Sequence, residues 1–141
     1  GESRTMEPAA SQLADWFEED GWEARLQPFP DRFVHIDVLV SVLAEKLAAV
    51  STEVLPSGAV GWLRDKGFEI IEVSANEAFR LGVNAISLGG DRVLSAAGAG
   101  ELNDAMRARG LTVHDPDLSM FTLGGGGAHC LAQALRRERL G

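Results

Sequence analysis

Apolar positions along this chain fall into two periods, one helical and one alternating, and the switch from the first to the second recurs three times. The stretches Trp16-Phe17-Glu18-Glu19-Asp20-Gly21-Trp22-Glu23-Ala24, Trp62-Leu63-Arg64-Asp65-Lys66-Gly67-Phe68-Glu69-Ile70 and Ala105-Met106-Arg107-Ala108-Arg109-Gly110-Leu111-Thr112-Val113 share one plan. Each is the end of an amphipathic helix, a capping glycine, and the entry to a strand. Gly21, Gly67 and Gly110 are separated by the length of a supersecondary unit rather than of a turn, which makes the repeat architectural. Between these helix ends lie β-rich runs in pairs, 34–40 with 46–50 and 83–88 with 92–96, joined by polar or Gly-Gly-Asp turns. Helices over 57–66 and 99–109 and closing strands over 68–73 and 111–114 complete two strand-strand-helix-strand units. A helix over 10–20 and a strand over 23–27 read as the second half of an earlier unit, and the segment around Cys130 reads as a closing strand. The expected class is α/β (α+β), about two and a half such units.

Composition narrows the function. The 141 residues, 45% hydrophobic and 24% charged, suit one globular domain with a core, here placed over 10–141 behind a leader or tag at 1–9. A net charge of −8, with 21 acidic residues and no basic stripe, argues against a nucleic-acid partner and favours a cationic small molecule. No run reaches the ~20 apolar residues of a membrane helix, no secretory leader is present, and a lone cysteine offers no disulfide framework, so a cytoplasmic location is expected.

That lone cysteine closes the run Gly124-Gly125-Gly126-Gly127-Ala128-His129-Cys130. Glycines without side chains let backbone N–H groups crowd whatever the sulfur attacks, so nucleophilic chemistry competes with the plainer reading of a buried small hydrophobe. His35 and Asp37, at i and i+2 of an apolar strand, share a face. They fit either a base beside an anchor for a cation or a polar pair at a strand mouth, satisfied locally. Asn84, within an apolar run, could hold backbone or ligand equally well. His129 falls on the face opposite Cys130 if the segment is extended, which makes it a packing or tautomer-holding residue rather than the base, and His114 with Asp115, Pro116 and Asp117 marks a turn. Arg136, Arg137 and Arg139 form a basic end that is either solvated or turned to a substrate carboxylate. No zinc-ligand spacing and no phosphate loop occurs, so neither metal nor cofactor is expected.

His35-Ile36-Asp37, Asn84 in the corresponding strand of the next repeat, and the glycine run ending at Cys130 together resemble the guanidine-modifying pentein superfamily. That group includes arginine deiminases, dimethylarginine dimethylaminohydrolases and amidinotransferases, and the resemblance runs from about Trp16 to Arg137. It implies a propeller of five strand-strand-helix-strand units around a pseudo-fivefold axis, of which this chain would be the C-terminal portion. It also implies that Cys130 attacks the guanidinium carbon, that His35 protonates the departing amine and then activates the acceptor, and that Asp37 accepts guanidinium N–H groups. Asn84, Gly126 and Gly127 would line the substrate site.

The family's further carboxylate, in a Glu-Gly-Gly-Asp type segment ahead of His-x-Asp, has no counterpart here, since Glu18, Glu19 and Asp20 end an exposed helix. The missing units are therefore expected from a complementary chain or by self-association. The segment 68–81 looks more like the dimethylarginine hydrolases than the transferases. Hydrolysis of an arginine-type guanidine is thus the first expectation, and amidino transfer or a noncatalytic binding subunit the alternatives.

Overall fold

The computed structural model describes residues 5–136. Its order is α1 (Glu7–Glu19), a 3-10 turn (Ile36–Val38), β1 (Val40–Ala44), β2 (Leu47–Val50), α2 (Ser57–Asp65), β3 (Glu69–Glu72), α3 (Ala75–Phe79), β4 (Ile86–Gly89), β5 (Arg92–Leu94), α4 (Gly100–Ala108), β6 (Thr112–His114) and α5 (Ser119–Thr122). None of these helices is long and apolar enough to cross a membrane.

The repeat is visible at atomic detail. Gly21, Gly67 and Gly110 all take positive φ, between 81° and 86°. At each, the glycine N–H and the following N–H fold back onto helix carbonyls: Gly67 N to Arg64 O at 2.8 Å and Phe68 N to Leu63 O at 3.0 Å, with Gly110 and Leu111 repeating the pattern onto Arg107 and Met106. This double closure satisfies carbonyls that the helix end would orphan, and it needs a left-handed residue that glycine supplies without a Cβ penalty.

Each of the two complete units is a three-stranded mixed sheet. β1 and β2 form an antiparallel hairpin, with Val42 opposite Ala48, and β3 joins β2 in parallel after α2. β4, β5 and β6 repeat this, with Ser87 opposite Val93. The register slips once in each hairpin, between Val42 and Ala44 and between Ser87 and Gly89. The parallel third strand requires a crossover, and the helix supplies it while covering the sheet. α2 buries Ala59, Val60 and Leu63, and α4 buries Leu102, Asn103 and Met106. One core runs through both units, with Leu39, Leu43, Val50, Val83, Val93 and Met106 fully buried. Ser41 Oγ donates to Ala85 O at 2.6 Å, stitching the two sheets together, and Arg109 Nε reaches Glu69 Oε1 at 2.6 Å across the outside of the same junction.

Three expected strands come out differently. Over 34–40 only Val40 is in the ladder; His35 precedes a 3-10 turn closed by Leu39 N to Ile36 O at 2.8 Å. The apolar side chains that suggested a strand there, Val34 and Ile36, are exposed, so no sheet face holds them flat. Segment 23–27 pairs with no strand, and no hairpin stands beside it among the described residues as one stands beside β3 and β6. The segment around Cys130 is a turn rather than a strand, wound by Leu131 N to Gly127 O at 3.1 Å and Ala132 N to His129 O at 3.1 Å. Two short helices, α3 and α5, were not expected. α3 carries a readable signal, since Ser74 Oγ accepts the N–H of Glu77 at 3.2 Å, the capping arrangement that Ser-x-x-Glu favours.

Glu77 is a buried carboxyl. Its Oε1 accepts the N–H of Leu102 at 3.3 Å, capping α4 from a neighbouring element. Burial raises its pKa above the ordinary carboxylate value, with Leu102 N–H opposing that shift and Glu101 reinforcing it.

Candidate functional site

The 3-10 turn before β1, the lead into β4 and the glycine turn after α5 converge on one carboxylate. Asp37 Oδ2 lies 2.9 Å from His129 Nδ1, 3.1 Å from Asn84 Nδ2 and 3.3 Å from Cys130 Sγ. Asp37 Oδ1 is buried and has no hydrogen-bond partner. One carboxylate oxygen is thus crowded with donors, while its twin, shielded from solvent, meets none among the described residues.

Asn84, 2% exposed, ties the three segments together. Its Nδ2 donates to Asp37 O at 3.3 Å as well as to Oδ2, its Oδ1 accepts the N–H of Cys130 at 3.1 Å, and its backbone O accepts the N–H of His129 at 3.0 Å. The adjacent glycines are there for space. A Cβ on Gly127 would stand 2.8 Å from Asn84 Oδ1, and one on Gly126 would stand 2.9 Å from the Cys130 Cβ. Any side chain at either position would push the cysteine turn away from Asn84.

The Cys130 thiol donates to Asp37 and is held protonated. Partial burial is the main cause of its raised pKa, followed by the hydrogen bond to Asp37 and that carboxylate's charge; Asn84 and the Gly127 backbone pull the other way. Cys130 is accessible at the surface.

Of the residues singled out by sequence, Asp37, Asn84, Gly126, Gly127 and Cys130 meet in this knot. His35 is exposed two residues from Asp37, with its backbone O accepting Val38 N at 3.4 Å. Because the backbone turns there, the shared strand face assigned to His35 and Asp37 does not exist. His129 is the residue that sequence reasoning set aside. An extended chain would have turned it away from Cys130, whereas the turn brings both side chains to the same Asp37 oxygen. His114 ends β6, and the neighbouring Asp115 binds Arg107 at 2.7 Å and Asn103 at 3.2 Å. Of the basic end, Arg136 is described, while Arg137 and Arg139 lie outside the described residues.

A repeated mixed-sheet fold with a carboxylate, an amide and a glycine-run cysteine at the junction of its units defines a protein of the guanidine-modifying pentein superfamily. Within it, residues 3–137 match the family described as N,N dimethylarginine dimethylhydrolase, eukaryotic, and the chain belongs to that family. It is 29% identical over 107 residues to the uncharacterized protein YkgA of Bacillus subtilis (strain 168), covering 76% of this chain and 37% of that protein. It is also 29% identical over 99 residues to an arginine deiminase of Listeria monocytogenes serotype 4a (strain HCC23), covering 70% of this chain and 22% of that protein. Among solved structures, the product-bound N-terminal domain of ArgZ, an arginine dihydrolase from the ornithine-ammonia cycle in cyanobacteria, superposes with a TM-score of 0.74 at 21% identity over 90% of this chain and 46% of that one. SxtG, an amidinotransferase from Microseira wollei in the saxitoxin biosynthetic pathway, gives 0.77 at 18% identity over 96% and 40%. The chain therefore spans less than half the length of these relatives, and the structural likenesses speak to fold.

Proposed function

We propose that this chain carries the nucleophile-bearing part of a cysteine-dependent hydrolase acting on an arginine-type or methylated-arginine guanidine. The observation that carries this reading is the convergence on one carboxylate: Asp37 Oδ2, held by Asn84 and His129, lies 3.3 Å from Cys130 Sγ, so a cation paired with Asp37 would sit beside the sulfur. A guanidinium bound there would place its positive charge beside the thiol. That charge opposes the effect of Asp37 and promotes transfer of the Cys130 proton to His35 as substrate arrives.

The thiolate then adds to the central guanidinium carbon. One C–N bond breaks as the departing amine takes a proton from His35, leaving an amidino-thioether on sulfur. His35 removes a proton from water, the resulting oxygen nucleophile adds to the same carbon, and the C–S bond breaks to give a ureido product and the thiolate. Transfer of the amidino group to an amine follows the same steps with the amine in place of water.

The remaining units of a propeller, supplied by a longer form of this chain, by a complementary chain or by self-association, would complete the site. The exposed apolar face made by Leu13, Trp16 and Phe17 of α1 with Trp22 and Leu26 supports this, because α1 buries none of its residues here. A groove of about 760 Å³ runs along that face. Such a surface is costly to leave in water.

Intact-mass measurement after exposure to 2-chloroacetamidine tests the reading. Single addition at Cys130, faster than with neutral iodoacetamide and slowed in His35→Ala, is the expected result. Addition no faster than that of a simple thiol, and indifferent to His35, would leave this chain a binding or assembly subunit. Ureido product, as against an amidino-substituted amine, separates hydrolysis from transfer.

A further inference from the structure

The two units can be aligned through equivalent cross-strand pairs, Val42 with Ala48 and Ser87 with Val93. Three residues before the first member of each pair stand Leu39 and Asn84. Leu39 is wholly buried in the core, and Asn84 is buried to nearly the same degree. The repeat therefore offers a core position that leucine fills in one unit, and the other unit fills it with a carboxamide. A buried amide costs stability unless both ends are bonded. Here both ends are bonded, and all the side-chain partners belong to the candidate site: Asp37 O and Oδ2 on the nitrogen side, Cys130 N–H on the oxygen side.

Resting on the guanidine reading above, we propose that Asn84 is a positioning residue rather than a substrate ligand. It fixes the orientation of the Asp37 carboxylate and seats the cysteine turn against it. Its amide has no spare donor aimed outward, since Nδ2 spans the Asp37 carbonyl and carboxylate. Donation to Oδ2 fixes the carboxylate rotamer and with it the contact that Oδ2 makes to Cys130 Sγ. Acceptance from Cys130 N–H holds the turn at the distance that puts Sγ against the same carboxylate. The lack of room for a Cβ on Gly127 belongs to the same device, because only glycine lets the turn approach the amide this closely. An aspartate would keep the shape and one oxygen for Cys130 N–H, but it would set two carboxylates face to face and force them to share a proton. A leucine would suit the core and abolish both anchors.

The test is the pH dependence of Cys130 alkylation in the chain as it stands, with 2-chloroacetamidine and iodoacetamide in parallel, for wild type, Asn84→Asp, Asn84→Leu and Asn84→Asp combined with Asp37→Asn. Thermal melts accompany each variant. Asn84→Asp should move the alkylation midpoint to higher pH by about one unit or more. Removing the second carboxylate in the double variant should return it. Asn84→Leu should fold with a melting temperature at or above that of wild type, and its preference for the amidine over the amide should fall about tenfold. Wild-type profiles and preference in Asn84→Asp, with only the melting temperature changed, would overturn the proposal whether or not the leucine variant folds. If wild type shows no preference for the amidine while Asn84→Asp still moves the midpoint, positioning stands and the guanidine reading falls.

Discussion

The two strand-strand-helix-strand units share strand order, one register slip each and the same glycine cap, yet they divide the labour of the site unequally. The first unit carries its charged group, Asp37, in a turn just outside the sheet and keeps the sheet's entry position apolar at Leu39. The second carries nothing charged there and places an amide inside the core at Asn84. The charged group thus sits partly exposed at the edge of the sheet, and the amide bonded to it sits within the core. A repeated scaffold tolerates this because the amide's needs are met across the unit boundary, by Asp37 from the first unit and Cys130 from beyond the second.

Exchanging the entry residues breaks the comparison most severely. Leu39→Asn should destabilise the fold by about 3–5 kcal/mol, measured by urea denaturation, because it removes a fully buried leucine and leaves an amide with no partners like those of Asn84. A variant as stable as wild type would mean that the first unit holds acceptors for an amide too, and the asymmetry would lose its meaning.

A smaller effect should come from Glu77, whose carboxyl caps the second unit's helix whereas no side chain caps the first unit's. Its pKa is raised by burial, so its contribution to stability is complete below the ordinary glutamate value of 4.5 and is lost as pH rises through the folded value. Glu77→Gln keeps an acceptor for Leu102 N–H without the charge. Denaturation curves should therefore coincide for the two proteins near pH ~4 and separate toward pH ~7, with the glutamine variant more stable. A gap of the opposite sign would show that the ionised cap outweighs the cost of burying it.

The smallest effect concerns the outer seam. Arg109 and Glu69 join α4 of the second unit to β3 of the first, but both side chains are substantially exposed. Glu69→Gln should cost less than about 1 kcal/mol, and the difference should shrink further in high salt. A larger, salt-insensitive loss would mean that the units are held together from outside as well as through the core.

Much of this architecture was legible in the amino-acid order because its grammar is local. The three glycine caps need positive φ at one position, and at Gly67 and Gly110 helix, cap and strand follow within ten residues. The hairpins were equally plain, since Lys46 and Asp91 take the positive φ that tight turns impose. What was misread depends on partners far along the chain. Segment 23–27 has strand chemistry without a strand beside it. The His35 and Asp37 segment leaves the strand because Asp37 is drawn to Asn84. His129 was set aside because alternation assumes an extended backbone, and the turn that brings it to Asp37 is made by glycines whose conformation their own identity leaves open. Asn84 reads as ambiguous in the sequence because the partners of its amide, Asp37 and Cys130, lie 47 and 46 positions away.

The contact between Asp37 and Cys130 joins residues 93 positions apart, whereas each hairpin and its crossover close within one unit. Loop closure over such a span is entropically expensive until the intervening units have condensed and shortened the effective tether. Assembly of the site is therefore a late event in folding, after both sheets. On a ribosome, where the chain emerges from its N-terminal end, Cys130 arrives after every other member of the knot. The thiol therefore meets its carboxylate only once both sheets that hold the two residues are in place.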